Sequence, residues 1–266
     1  MKIKLPQIYF SKLMRAITEF ELIENNDHIL LGISGGKDSI FLAYAMAMMK
    51  QRLNKSFTLT ALTINPMFST DFTEKTAKIK NFLQKLEIPY EAIDVDIAGT
   101  IKAQQGQEPC YTCAFFRRGA VNRFAKEHSC NKVAYAHHHD DAVETFFMGL
   151  LYSGQLHTFT PKTYLDKMDL TVIRPLVYFR EQEIIDAQQY HNFTPMPSPC
   201  PYDGHTIRQT VKELIAQMSK DNPQLYSHLA AAMRQSSLGE LWPAVKNREE
   251  MKKAYYSYMY ENFPHK

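Results

Sequence analysis

The sequence predicts an α/β fold: a doubly wound, mostly parallel sheet with helical N- and C-terminal extensions. Three observations predict it. Short apolar runs alternate with helical stretches between residues 25 and 178, the pattern of βαβ units around a parallel sheet. Three of the apolar runs lead into polar loops, SGGKDS (34–39), Asn65-Pro66 and HHHDD (137–141), and in such sheets functional loops gather at the carboxyl ends of strands. Beyond residue 176 the pattern becomes helical and polar.

Taken in order, residues 9–23 carry Leu13, Ile17 and Phe20 at helical spacing. HILLGI (28–33) is a buried strand ending near glycine. Residues 38–53 are rich in helix formers, and FTLTALTI (57–64) is rich in strand formers. Phe72, Ile79, Phe82 and Leu86 mark a helix over 72–86, and YEAIDV (90–95) a strand. The glutamine-rich stretch 102–109 reads as a loop, and 113–127 as a basic helix. A strand over 132–136, a helix over 140–151 and a strand over 169–175, stopped by Pro175, follow. Further helices are expected near 180–190, 206–219, 223–235 and 246–259. The expected segments are an N-terminal helical one (1–24), the sheet domain (25–178) and a helical extension (179–266) carrying Cys200.

A chain of 266 residues, 45% hydrophobic, can bury a full core. Its formal net charge of +3 permits an acidic partner without demanding one. The N-terminus lacks the apolar run and cleavage site of a signal peptide, and no apolar stretch reaches the length of a membrane span. The expectation is a cytoplasmic protein with no membrane association. Thiols stay reduced there, so Cys110-x-x-Cys113 reads as a metal or redox site before a structural disulfide.

SGGKDS is not a Walker loop. Gly32 to Gly36 is one residue too short, and Lys37 is followed by Asp38 where that motif has a hydroxyl. The loop has its own logic as an anion site. Gly35 and Gly36 let backbone N–H groups turn inward, the next helix offers its N-terminus, Ser34 and Ser39 add hydroxyls, and Lys37 adds charge. A glycine turn with a solvated lysine is the bland alternative. The string closely resembles the PP-loop of the N-type ATP pyrophosphatases. That resemblance implies ATP bound through Ser34, Gly35, Gly36, Lys37, Asp38 and Ser39, cleavage between the α- and β-phosphates, and an adenylated substrate.

AHHHDDAVETFF (136–147) is similar to the second motif of that superfamily. It adds His137 and Asp140 to the implied ATP contacts. Asp140 and Asp141 stand where a helix begins, which suits carboxylates for purely structural reasons. Carboxylates beside a triphosphate also suit Mg2+, with Asp38 and Asp141 as the candidates. Adjacent side chains in extended backbone point in alternate directions, which argues against the triple histidine as one metal site.

Cys110-Tyr111-Thr112-Cys113, then Phe116-Arg117-Arg118-Gly119, the histidine motif, Arg174-Pro175-Leu176 and Pro199-Cys200 occur in that order. Together they resemble the bacterial tRNA 2-thiocytidine synthetase family, over roughly residues 25–210. The resemblance implies a [4Fe–4S] cluster held by Cys110, Cys113 and Cys200. Thiolates are the usual cluster ligands and four usually close the site, so three leave one iron open to a sulfur species. Structural zinc on the same cysteines with His205, a metal-free persulfide mechanism and plain buried thiols are the competing readings. Cys130 reads as structural. Family members carry a second cysteine in a Pro-Cys-x-x-Cys string; here Asp203 stands in that place.

The expected function is an ATP-dependent sulfurtransferase that adenylates a nucleobase carbonyl, cytidine C2 in tRNA first, and replaces oxygen by sulfur. Lys37, Asp38, Asp141, Cys110, Cys113 and Cys200 are the catalytic candidates. Arg117, Arg118, Lys162, Arg174 and Arg208 are candidate RNA contacts, each with an ordinary surface charge as its bland reading. The implied cofactors are ATP, Mg2+ and the cluster. The implied partners are tRNA, a sulfur donor such as a cysteine desulfurase, and a second copy in a homodimer. A synthetase with an amine nucleophile, of the lysidine-forming kind, a small-molecule sulfurtransferase and a non-catalytic nucleotide-binding Fe–S sensor are the alternatives.

Overall fold

The computed structural model describes residues 3–69, 72–105, 108–197, 200–202, 204, 206–234 and 247–262. Pro199, Asp203 and His205 lie outside them. Six strands form one sheet, in the order β3-β2-β1-β4-β6-β5. They are β1 (Asp27–Gly32), β2 (Phe57–Asn65), β3 (Tyr90–Asp94), β4 (Lys132–Ala134), β5 (Lys162–Leu165) and β6 (Leu170–Ile173). The first four and β6 run parallel. β5, which the sequence pattern does not announce, is an antiparallel edge strand with Lys162 opposite Ile173. Its four residues carry no continuous apolar run, because only one neighbour covers it.

The helices are α1 (Gln7–Glu19), α2 (Lys37–Arg52), α3 (Phe72–Lys85), α4 (Ile97–Ala103), α5 (Pro109–Glu127), α6 (His139–Met148), α7 (Glu181–Asp186), α8 (Gln188–His191), α9 (Ile207–Asp221), α10 (Leu225–Arg234) and α11 (Arg248–Asn262). Two sequence expectations are corrected here. The stretch 102–109 is not one loop: α4 runs to Ala103 and α5 already begins at Pro109, a residue suited to a first helical turn. The basic helix therefore starts four residues earlier than its apolar pattern shows, and Cys110 lies in its first turn with Cys113 opening the second.

Strand β1 displays the double winding. Ile29 and Leu31 face the large core on one side of the sheet, while Leu30 faces the smaller core with Val121 and Phe124 of α5 on the other. Helix α2 is buried along every residue from Ser39 to Met49, as a helix must be when it is apolar all round. It lies against β1 and β2 and also meets α7 and α8. The SGGKDS loop is thus anchored at the head of a fully enclosed helix.

The segment boundaries at 24 and 178 are not breaks in packing. Tyr9 of α1 sits edge-on to Phe41 of α2 at 6.2 Å and to Phe179 at 5.5 Å, and Phe41 meets Phe179 at 5.2 Å. Leu13, Ile17, Ile184 and Ala187 belong to the same core as Phe41. Helices α9 and α10 close a third cluster: Val211, Ile215 and Leu225 pack on Val143 and Phe147 of α6. This places α9 directly beside the histidine–aspartate motif.

His191 ends α8 inside the main core, against Tyr44 and Phe82. Its Nδ1 accepts the Phe193 N–H at 3.2 Å, and Nε2 has no hydrogen-bond partner. Burial pulls its pKa down to about 4. The unfolded chain takes up this proton first, near pH 6.5, so the stabilisation is full above that pH and is lost as pH falls towards 4. The expected loss from this group is on the order of 2–3 kcal/mol. Thermal melts across pH 4–7 check it: His191→Phe should flatten the acid limb relative to the parent, and an unchanged slope refutes the assignment.

Candidate active site

The chain leaves β1 towards β2 on one side and returns through β4 on the other. The gap between those two carboxyl ends is the topological switch point, where open α/β sheets bind ligands. β1 ends at Gly32 and β4 at Ala134, so SGGKDS and HHHDD emerge side by side.

The loop is held by its own hydroxyls. Ser39 Oγ accepts the Ser34 N–H at 3.1 Å and donates to the Gly36 carbonyl at 3.0 Å, while Ser34 Oγ accepts the Gly36 N–H at 3.3 Å. Gly35 has φ +83°, a conformation with a steric penalty for any residue bearing a Cβ. Its carbonyl accepts the Met196 N–H at 3.1 Å. A Cβ there would stand 2.3 Å from Met196 Cε. Gly35→Ala should therefore destabilise the chain by about 1–2 kcal/mol and raise the apparent KM for ATP. Thermal melts and a pyrophosphate-release assay check this, and an unchanged KM would count against the loop as the phosphate cradle.

Lys37 Nζ reaches Asp38 at 3.0 Å and Glu181, in the first turn of α7, at 3.0 Å. Burial works against its charge, but the two carboxylates outweigh burial and its pKa is raised. His138 is buried, with Nε2 3.7 Å from Asp38 and 3.5 Å from Asp141, and Nδ1 3.7 Å from Asp140. It draws three carboxylates around one ring. Asp141 Oδ2 accepts the His138 N–H at 2.9 Å, and Oδ1 takes Arg208 Nη1 at 3.2 Å. Asp140 directs its hydrogen bonds to α7: both oxygens accept Arg180 Nε at 3.1 Å, and Oδ2 also accepts the Glu181 N–H at 2.8 Å. It is committed to fastening α7. His137 packs between Tyr135 and Phe159, and burial lowers its pKa to about 4.

The three candidate cysteines come from two separate parts of the chain. Cys110 is exposed and Cys113 half-buried at the N-terminus of α5; Cys200 is half-buried after α8. Burial pushes the Cys113 thiol up, Arg117 one turn on pulls it down, and the charges of Cys200 and Cys110 push it up again. Cys200 therefore lies within electrostatic reach of Cys113 despite the sequence gap. Cys130 is buried in the α5 core, its thiol pushed up to about 11, and it stands apart from this group. Among the described residues, no three His, Cys, Asp or Glu side chains close on a single metal ion.

The basic candidates separate. The Arg117 Nε is buried without a hydrogen-bond partner, whereas Arg118 is exposed and its Nε donates to the Ala114 carbonyl at 3.1 Å. Lys162 donates to the Glu21 carbonyl at 2.9 Å. Arg174 is stacked over Phe159 and bonded to the Thr160 carbonyl at 2.6 Å. Arg208 bridges Asp141 and Glu144, each at 3.2 Å, so its charge serves the carboxylate cluster. Glu144 is itself pushed up, by burial first and Asp141 second. The sequence reading missed Glu181, Lys212 and Arg180. The only signal for Arg180 and Glu181 is the acidic-basic string REQE at 180–183, which by itself looks like an ordinary helix start, and Lys212 is one more lysine of a polar helix.

A family model described as a PP-loop domain matches residues 8–217. The tRNA-cytidine(32) 2-sulfurtransferase of Geobacter metallireducens is 34% identical over 226 residues, spanning 82% of this chain and 86% of that one. Its counterpart from Dichelobacter nodosus is 32% identical over 222 residues, spanning 82% of each. Among solved structures, the U34-tRNA thiolase NcsA from Methanococcus maripaludis with its [4Fe–4S] cluster superposes with a TM-score of 0.69 at 21% identity. That match covers 87% of this chain and 80% of the other, and establishes the fold. With the glycine loop, the histidine–aspartate turn and the sheet order in place, the chain belongs to the PP-loop family that includes the tRNA-cytidine(32) 2-sulfurtransferases.

Proposed function

We propose that this chain is an ATP-dependent tRNA sulfurtransferase acting on cytidine C2 in the cytoplasm. One observation carries the reading: the SGGKDS loop and the histidine–aspartate turn emerge side by side at the switch point of the sheet, in a chain that also holds Cys110, Cys113 and Cys200. The relatives are named as tRNA-cytidine sulfurtransferases, and the match spans 82% and 86% of their lengths.

In this reading the cytidine C2 oxygen attacks the α-phosphorus of ATP and pyrophosphate leaves. Sulfide then attacks C2; the C–S bond forms, the C–O bond breaks, and AMP departs with the oxygen. Lys37 and the N–H groups of the glycine loop stabilise charge on the phosphates. Asp38 and Asp141, drawn together around His138, would supply the one or two carboxylates that Mg2+ takes beside a nucleotide.

The donor set fits an iron–sulfur cluster in kind. It offers three thiols, two of them three residues apart at the start of α5, and thiols are the usual ligands of such clusters. A multi-iron cluster needs its ligands spread over different irons, and that is compatible with thiols that do not close on one ion. Such a cluster would offer one iron without a cysteine ligand for sulfide. Arg117 and Arg118 on the same helix are the proposed tRNA phosphate contacts, and sulfide would come from a donor such as a cysteine desulfurase.

Anaerobic reconstitution with iron and sulfide, incubation with ATP and tRNA, and mass spectrometry of the nucleosides test the proposal. The expected product is 2-thiocytidine with one pyrophosphate released per sulfur. An amine adduct in its place, or pyrophosphate release with no sulfur incorporated, overturns it.

A further inference from the structure

Lys37 is not the only lysine at the glycine loop. Lys212, on α9, reaches the same carboxylate: its Nζ lies 2.8 Å from Glu181 Oε1 and 2.6 Å from Oε2. Lys37 Nζ touches that same Oε1 at 3.0 Å. Two ammonium groups from opposite ends of the domain thus share one carboxylate oxygen beside the PP-loop. Burial alone would raise the Glu181 pKa, but hydrogen bonds from Lys212 and Lys37 bring it down to about 2. The carboxylate is ionised at every physiological pH.

A lysine ammonium binds carboxylate and phosphate oxygens by the same charge-assisted hydrogen bonds. Lys37 divides its donors between Asp38 and Glu181. Lys212 is 41% exposed, and Glu181 is its ion-pair partner among the described residues. Its approach is fixed from two directions. Helix α9 is docked on α6 through Val211 and Ile215, and one turn earlier Arg208 is clamped to Asp141 and Glu144.

We infer that Lys212 is a second polyphosphate ligand of this site, and that Glu181 is an internal anion that competes with the phosphates for Lys37 and Lys212. The inference rests on the PP-loop of the proposed function as an ATP site, and it adds a residue from the C-terminal helices to it. Binding of a diphosphate or triphosphate exchanges one carboxylate for several phosphate oxygens across the two lysines. The carboxylate sets how much affinity this exchange yields.

The two residues then have opposite effects, which a purely structural ion pair cannot produce. Titration of the full-length protein with inorganic pyrophosphate in Mg2+, and separately with ATP, reads this directly. Lys212→Ala should weaken pyrophosphate binding about tenfold, the scale of one charge-assisted contact. Lys212→Arg should recover most of it. Glu181→Gln should bind pyrophosphate more tightly than the parent. Thermal melts of all three should stay near the parent, since partly exposed ion pairs contribute little to folding. Unchanged affinity in Lys212→Ala overturns the inference. So does weakening in Glu181→Gln, which would mark a structural pair. Failure of the parent to bind either pyrophosphate or ATP would instead bring down the ATP-site reading beneath it.

Discussion

Cys200→Ser is expected to abolish thiolated nucleoside in tRNA while leaving nucleotide binding near that of the parent. Cys200 follows α8 and contributes to the charge felt by Cys113, whereas the phosphate loop is built from Ser34, Gly36 and Ser39. The two functions use different side chains, so they should separate. A serine hydroxyl is a poor replacement for a thiolate at a soft metal site. With three cysteines, loss of one leaves two ligands from a single helical turn. Cys110→Ser and Cys113→Ser should behave alike, and Cys130→Ser should retain thiolation because that thiol is buried in the α5 core. Iron and sulfide analysis of anaerobically prepared protein, alongside nucleoside mass spectrometry, checks this. Full iron content in Cys200→Ser would remove that residue from the ligand set. One zinc and no iron in the parent would replace the cluster with a structural ion.

Lys37→Ala should lower pyrophosphate release by about 10²–10³-fold, the typical loss when one preorganised donor to developing charge is removed. Its raised pKa keeps the ammonium charged at neutral pH, so in the parent this contribution should not titrate away near neutrality. Folding should be little affected. Lys37 caps no other element, Glu181 keeps Lys212 as partner, and the backbone of the loop is held by the serine hydroxyls. A thermal melt near that of the parent together with lost turnover supports the reading. Near-normal turnover would show that the loop binds something other than the reacting phosphates.

Most of the parallel sheet was legible because each central strand is a continuous apolar run, as burial on both faces requires. Helix α2 was legible for the same reason, and its loop by the glycine pair. The start of α5 was less so: its first five residues are Pro109, two cysteines, Tyr111 and Thr112, with no apolar stripe to mark it. Edge strand β5 was invisible because four residues covered by one neighbour need no hydrophobic pattern.

For the site, the sequence by itself determined which chemical groups are present: the phosphate loop, the histidine–aspartate turn and the three thiols. Each is a local string with its own backbone logic. Only the tertiary structure decided how those groups are used. It committed Asp140 to Arg180 and the α7 backbone, bound Arg208 to Asp141 and Glu144, and brought Lys212 to the carboxylate that Lys37 touches. These pairings join residues 31 to 144 positions apart along the chain, and no local pattern encodes them. Those made by Arg208 and Lys212 exist because Val211 and Ile215 must bury their apolar faces on α6. That docking carries the cations of α9 to the carboxyl edge of the sheet.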